Sequence, residues 1–168
     1  MLSISIFSSC SSIPKGVKAG SNFKKEKYLG RWYEIARLEN CFERNMNNTT
    51  ARYSLKENGT IKVVNAGYDT KKKKWKEVEG KAKFVKEEST AMLKVSFFGP
   101  FYSGYNVIAI DKAYKYSLVA GQNFGYLWIL SREKTIPEDV KAEYLKIAKN
   151  YGFAVDDLMW ITHDDTFK

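Results

Sequence analysis

Few residues of this chain could perform chemistry, and their number excludes the common catalytic sites. The 168 residues contain one histidine, His163, and two cysteines, Cys10 and Cys41. Nucleophilic serine and cysteine are normally activated by a histidine base, and many catalytic zinc sites need several histidine ligands. A lone histidine near the end of the chain supports neither arrangement. We therefore expect no catalytic residue, no metal site and no cofactor, and we expect Cys41 to be a free, partly buried thiol.

Cys10 is a candidate for modification. An uncharged, partly apolar stretch (residues 1–9) precedes it, and a polar Ser/Pro stretch (residues 11–14) follows it. This pattern resembles the end of a bacterial lipoprotein signal, in which the cysteine is lipidated, although the usual basic start is absent. We expect residues 1–22 to be a partial lipoprotein signal and tether, with Cys10 as the membrane anchor. A tail with an incidental free cysteine is the alternative.

The composition indicates one globular domain with a basic surface. Hydrophobic residues make up 44% of the chain and charged residues 28%, which excludes a disordered chain. Lys and Arg total 28 against 19 Asp and Glu. The lysines are scattered except for residues 71–74, so no basic stripe indicates a nucleic-acid partner. The four-lysine run has two interpretations, a solvated hairpin tip or a contact with lipid headgroups.

Short runs of alternating polarity between turn signals predict an all-β fold. Asn58-Gly59 is typical of a hairpin turn, and residues 91–97 alternate as a strand with one buried face does. Eight such runs with mostly short links favour an up-and-down antiparallel β-barrel, which can enclose one small ligand, over an open sandwich. The predicted strands cover residues 30–38, 50–55, 60–65, a run ending at 84, 91–97, 105–111, 116–120 and 126–131, with 99–104 as a turn.

One helix and a short strand are predicted after the eight strands. Thr135 with Glu138 three residues later forms a capping-box pattern, and Gly152 is typical of a helix end. Apolar residues recur at helical spacing between them, so we expect one helical face to pack on the outside of the barrel. Residues 159–161 form a terminal strand, and the folded domain spans residues 23–168.

Three short motifs, taken in order, resemble the signatures of the lipocalin family. Gly30-Arg31-Trp32 is similar to the Gly-x-Trp of the first strand, Ile110-Asp111 to the motif that ends the sixth strand, and Arg132 to the arginine after the eighth. Residues 94–109 resemble the bacterial outer-membrane lipocalins, relatives of apolipoprotein D that are often lipid-anchored. The resemblance covers about residues 22–163.

The resemblance implies that the signature residues Gly30, Trp32, Asp111 and Arg132 maintain the fold and do not contact a ligand. In the family, the tryptophan plugs the closed end of the barrel and the arginine lies over its indole. Such a cation–π stack contributes about 0.5–2 kcal/mol.

The resemblance also orients the strands around a cavity. With Trp32 facing inward, alternation sends Glu34, Ala36 and Leu38 inward as well. On the other strands, inward positions carry mainly apolar and aromatic side chains. The ligand-binding candidates are Tyr53, Asn65, Leu93, Val95, Phe97, Tyr105 and Trp128.

Such a lining suits a long apolar ligand with a polar head. We therefore expect non-enzymatic binding, storage or transport of a lipid, a fatty acid or a lysophospholipid, at the bacterial outer membrane. The basic charge balance favours an anionic head at the mouth of the barrel. The alternatives are an envelope structural protein with a vestigial cavity and a lipocalin-type isomerase that recruits Cys41, Glu34 or Tyr53. A homodimer is compatible with the sequence.

Overall fold

The computed structural model describes residues 12–164 and shows an eight-stranded antiparallel β-barrel with one C-terminal helix outside it. Successive strands pair with one another, and the first strand pairs with both the second and the eighth, which closes the sheet. A short ninth strand pairs antiparallel with the end of the first strand. The elements are α1 (Lys25–Tyr28), β1 (Gly30–Leu38), β2 (Met46–Leu55), β3 (Ile61–Asp69), β4 (Lys74–Phe84), β5 (Met92–Phe98), β6 (Phe101–Ile110), β7 (Tyr116–Ala120), β8 (Leu127–Ser131), α2 (Glu138–Tyr151) and β9 (Leu158–Trp160).

The two ends of the barrel differ because antiparallel strands place alternate connections at opposite ends. We call one end the base; it holds α1 and the connections after β2, β4 and β6. The other end is the mouth, which consists of the connections at residues 39–45, 70–73, 99–100 and 121–126.

The turn between β5 and β6 is shorter than the predicted one. Gly99, with φ 55°, and Pro100 make the connection, and Ser103 and Gly104 already belong to β6. A Cβ on Gly104 would collide with the backbone carbonyl oxygen of Ser12, which crosses the strand there. The glycine that suggested a turn therefore makes room for a chain segment distant in sequence.

Helix α2 ends as predicted but begins differently. Gly152 follows it in the left-handed conformation, with φ 100°, and its N–H bonds to the carbonyl of Lys149. The predicted capping box is wrong, because the N-cap is Pro137 and no side chain caps the first turn. The backbone carbonyl of Thr135 instead accepts a hydrogen bond from Ser131 Oγ at 2.8 Å. As predicted, the apolar face of α2 packs on the outside of the barrel.

Residues 12–22, which we expected to belong to a tether outside the fold, pack along the barrel wall. Val17 is buried in the outer core with α2. Gly20 donates its N–H to the Val107 carbonyl at 2.8 Å and accepts from Ala91 N–H at 2.9 Å. Asn106 Nδ2 donates to the Ser12 carbonyl at 2.8 Å. The predicted lipidation site, Cys10, lies outside the described residues.

The base of the barrel is closed by an arginine stacked on a tryptophan. Trp32 is fully buried, and the Arg132 guanidinium carbon lies 3.8 Å from the centroid of its ring. Arg132 also donates to the backbone carbonyls of Arg31, at 2.6 Å, and Leu29, at 2.9 Å. Gly30 has φ +96°, and a Cβ there would meet the Arg132 guanidinium at 3.4 Å. These bonds attach the end of β8 to the chain that enters β1.

Asp111 organises the adjoining turn between β6 and β7. Its Oδ1 accepts the N–H groups of Lys115 and Tyr116 at 2.6 and 2.7 Å, and its Oδ2 accepts that of Ala113 at 2.9 Å. A carboxylate that accepts several backbone N–H groups holds a tight turn. Arg132 Nε donates to the Tyr114 carbonyl within this turn, at 3.2 Å, so Asp111 and Arg132 stabilise the same end of the barrel.

We expect Trp32→Ala to lower the free energy of unfolding by about 3–5 kcal/mol, because it leaves a large cavity in the closed end. Arg132→Ala should cost less, because the indole remains buried. Denaturant unfolding followed by circular dichroism measures both effects. Coincident unfolding curves for Trp32→Ala and the unsubstituted protein would contradict this account.

Candidate ligand-binding cavity

A cavity of about 850 Å³ occupies the barrel interior. Ligand pockets for small molecules typically measure about 300–1,000 Å³. All seven sequence-predicted ligand-binding residues line it, whereas ligand contact by each of them stays a prediction. They are Tyr53, Asn65, Leu93, Val95, Phe97, Tyr105 and Trp128.

The wall of the cavity is apolar because strand alternation turns one face of each strand inward. Leu93, Val95 and Phe97 project from β5, and Leu130 and Trp128 from β8. The intervening outward position, Ser96, is nevertheless buried, and its hydroxyl donates to the Gly99 carbonyl at 3.0 Å. The outward face of β5 is thus not uniformly exposed to solvent.

Three tyrosine hydroxyls meet at the floor of the cavity, near the base. Tyr28 and Tyr53 each place their hydroxyl oxygen beside that of Tyr105, at 2.7 and 2.8 Å. Burial raises the pKa of Tyr28 to about 12 and the pKa values of Tyr53 and Tyr105 well above 10. These phenols are therefore neutral and largely hydrogen-bonded to one another, so the floor is polar but uncharged.

A β-bulge changes the inward face of β1. Glu34 pairs with Leu130, but Ala36 pairs with Ile129, so Ile35 is the extra residue. Beyond the bulge the alternation is reversed, and the prediction that Ala36 and Leu38 face inward is wrong. Both pack in the outer core under α2. Arg37 takes the opposite orientation and is fully buried beside Glu34.

Arg37 holds the loop at residues 39–45 over the cavity. Its Nη1 lies 2.6 Å from Glu34 Oε1, and its Nη2 donates to the carbonyls of Glu43 at 2.6 Å and Met46 at 3.1 Å. The Glu43 carboxylate accepts from Asn40 Nδ2 at 2.6 Å and from Trp128 Nε1 at 3.0 Å. This network joins β1, β8 and the loop at the upper part of the cavity.

Three residues of the site, Arg37, Asn40 and Glu43, were not predicted from the sequence. Arg37 stands next to Leu38 at the end of β1, where regular alternation predicts an outward position. The available signal was an arginine among the apolar residues 35–38. Its inward orientation could be inferred only once the β-bulge was known.

Glu34 is a buried acid whose protonation depends on its neighbours. Burial raises its pKa well above the usual value, and the Glu43 carboxylate raises it further, whereas the Arg37 guanidinium opposes both effects. Loss of hydration and a like charge together outweigh one ion pair in a closed site. A protonated Glu34 can share its proton with Glu43, so the cluster carries less negative charge than its two carboxyls suggest.

Of the residues considered for catalysis, Glu34 and Tyr53 line this cavity, whereas Cys41 and His163 do not. Cys41 is exposed on the mouth loop, so its expected partial burial is wrong. His163 bonds through Nε2 to the Glu34 backbone carbonyl at 2.7 Å, and burial lowers its pKa. Across residues 12–164, no group of three or more His, Cys, Asp or Glu could hold a metal ion. In the same residues, no helix is both long and apolar enough to span a membrane.

Comparisons with known proteins agree with the closed barrel and its signatures. The lipocalin-like domain family matches residues 23–163. The chain belongs to the lipocalin family. Among the relatives of this lipocalin, the outer membrane lipoprotein Blc of Citrobacter freundii is 52% identical over 148 residues, covering 88% of this chain and 84% of the relative. Apolipoprotein D of Macaca fascicularis is 39% identical over 132 residues, covering 74% and 68%.

The fold is also found in solved structures of low sequence similarity. Insecticyanin from the tobacco hornworm Manduca sexta superimposes on this lipocalin with a TM-score of 0.75 at 17% identity, covering 94% of this chain and 89% of that one. The names of the bacterial relatives confirm the predicted location at the outer membrane.

Glu34→Gln should change how stability depends on pH. The raised pKa of Glu34 means that its protonated form stabilises the fold fully below pH 4.5, its ordinary pKa, and that this contribution is lost as the pH rises through the folded-state pKa. Glutamine cannot ionise. The melting temperature of the variant minus that of the unsubstituted protein should therefore increase by about 2–4 °C as the pH rises from 4 to 8. Thermal unfolding across this range measures the difference.

Glu57→Gln, at an exposed turn, is the matched control and should show no such trend. A constant difference in melting temperature between Glu34→Gln and the unsubstituted protein across the pH range would refute the assignment.

Proposed function

We propose that this lipocalin binds a single-chain lipid with an anionic head, a fatty acid or a lysophospholipid, without catalysis. The cavity of about 850 Å³, with apolar walls and one open end, is the observation that carries the proposal. Burial of each methylene contributes about 0.8 kcal/mol, so eight buried methylenes contribute about 6 kcal/mol before the costs of binding. Chain burial alone thus supplies a large part of a micromolar affinity.

The charges around the cavity favour a ligand whose head lies at the mouth. The tyrosine floor is uncharged and its hydroxyls already bond to one another. Lys74 and Lys76 line the upper part of the cavity on β4. An ionised head is therefore best placed near these lysines and solvent, with the chain extended towards Tyr53 and Tyr105.

The proposal includes a lipid anchor at Cys10, which agrees with the word lipoprotein in the names of the bacterial relatives. A carrier needs no nucleophile, and the exposed Cys41 has no role in this proposal. The homodimer, the structural role with a vestigial cavity and the isomerase stay alternatives, and the binding experiment below distinguishes the structural role from the carrier.

Phe97→Asp should abolish lipid binding. The substitution places an unpaired charge in the apolar wall, which costs far more than the chain gains there. Titration with palmitate and with a lysophospholipid, followed by tryptophan fluorescence with Trp128 as the reporter, measures the affinity. We expect micromolar binding by the unsubstituted protein and at least a hundredfold loss in the variant.

Ser54→Asp is the control, because Ser54 is exposed on the outer face of β2 and acquires the same charge. Ser96→Asp is unsuitable, since Ser96 is buried and hydrogen-bonded. A folded Phe97→Asp that binds as tightly as the unsubstituted protein would exclude this cavity. If the unsubstituted protein binds neither lipid, the structural role replaces the carrier.

Cys10→Ser in the native precursor should release the protein from the membrane fraction, because a serine cannot carry the thioether-linked lipid. Cell fractionation and immunoblotting measure the distribution. Cys41→Ser, which removes the exposed cysteine of the mouth loop, is the control and should remain with the membrane. Unchanged fractionation of Cys10→Ser would remove the anchor from the proposal.

A further inference from the structure

We propose that the mouth of the barrel docks on an anionic phospholipid bilayer, so that the cavity opens directly into the membrane. The proposal deepens the proposed function and rests on its anchor at Cys10. Three independent features of the described residues support it: the distribution of exposed aromatic side chains, the position of the lysine hairpin, and the path of the N-terminal segment.

Exposed aromatic side chains are concentrated at the mouth. Phe42 is 70% exposed on the first loop, and Phe98 and Phe101 are 65% and 78% exposed on either side of the β5–β6 turn. Trp75 is exposed at the start of β4, and Phe124 lies in the loop before β8. These include every exposed phenylalanine within residues 12–164. A ring of exposed aromatic groups on several loops is typical of a surface that enters an interface.

The mouth also carries the longest run of lysines in the sequence, at residues 71–74. Residues 69–77, which form the β3–β4 hairpin, contain five lysines and two acidic residues. One of the two acids, Asp69, is bonded to Lys76 at 2.5 Å and to the N–H groups of the turn. At the base, lysines are mixed with acids: α1 contains two lysines and one glutamate, the β4–β5 connection one lysine and two glutamates, and the β6–β7 connection two lysines and one aspartate. Lysines beside exposed aromatics favour an anionic lipid surface, because the negative potential of such a surface attracts basic side chains.

The N-terminal segment leads the proposed anchor to the same end. The chain passes Gly20 beside Val107 and Ala91, then runs along the wall to Ser12. Ser12 is held by Asn106 Nδ2 and lies against Gly104 and the mouth loop that contains Gln122. The proposed anchor precedes Ser12 by only two residues in the sequence. A tether this short restrains the mouth, not the base, beside the bilayer.

Docking in this orientation gives a lipid a path that avoids water. Four residues belong both to the exposed rim and to the cavity lining: Lys74, Trp75, Phe98 and Phe101. A lipid that leaves the bilayer between them would keep its chain in apolar surroundings and its head near lysine. The ligand would be exchanged with the membrane itself.

The first test separates the mouth from the anchor. Full-length Cys10→Ser protein is mixed with vesicles of phosphatidylethanolamine and phosphatidylglycerol (7:3), and binding is measured by flotation. We expect the double substitution Phe98→Ser/Phe101→Ser to weaken binding at least tenfold. The matched double substitution Leu55→Ser/Val85→Ser, at exposed apolar residues of the base, should change it less than twofold. Equal binding by the two double variants would overturn the proposal.

A further variant tests the contribution of the lysine charges to vesicle binding. Replacing Lys71, Lys72, Lys73 and Lys74 with glutamine should remove the preference for these vesicles over pure phosphatidylcholine vesicles. A preference that survives the four substitutions would overturn the assignment of the lysine hairpin to the bilayer surface.

The second test uses the anchored protein. An environment-sensitive fluorophore is attached to Pro100→Cys at the mouth or to Asn58→Cys at the base, in a Cys41→Ser background with the native Cys10 lipidated and unavailable to the label. In proteoliposomes, the mouth probe should shift to shorter wavelength and the base probe should not. A shift at the base alone, or at neither end, overturns the orientation. Loss of palmitate binding without loss of docking would count against the proposed function only.

Discussion

The arrangement of the barrel depends on one closed end, at which the Arg132 guanidinium lies on the Trp32 ring. The contact joins the end of β8 to the chain before β1, and Arg132 also donates to the backbone carbonyls of Arg31 and Leu29. The fully buried indole fills the space between the strands. Because this end is closed, the cavity opens at the other end, beside the mouth loops.

The polar groups inside the barrel divide the cavity into two regions of different chemistry. At the floor, the hydroxyls of Tyr28, Tyr53 and Tyr105 bond to one another and remain neutral. Nearer the mouth, Glu34 and Arg37 form a buried pair that holds the loop at residues 39–45. Desolvation raises the pKa of Glu34, so this carboxyl is protonated more readily than that of an exposed glutamate.

The outer surface of the barrel differs between the mouth and the base. The N-terminal segment, through Ser12 and Asn106, ends beside the mouth, where the exposed phenylalanines and the lysine hairpin also lie. Gly104 allows this arrangement because any side chain at that position would displace the segment. The course of the segment and the character of the rim therefore concern the same end of the molecule, opposite the closed base.

The sequence by itself determined the eight strands and the outer helix, because polarity periods and turn residues are local signals. The signature residues were recognised by their resemblance to those of the lipocalin family. It also identified the apolar wall, since Leu93, Val95 and Phe97 follow that alternation without interruption. Only the tertiary structure decided the orientation of Ala36, Arg37 and Leu38, because a bulge depends on the register with β8. Likewise, only the fold brought Ser12 to the mouth, because Gly104 and Asn106 recognise it across more than 90 residues of chain, and no local pattern encodes such a contact.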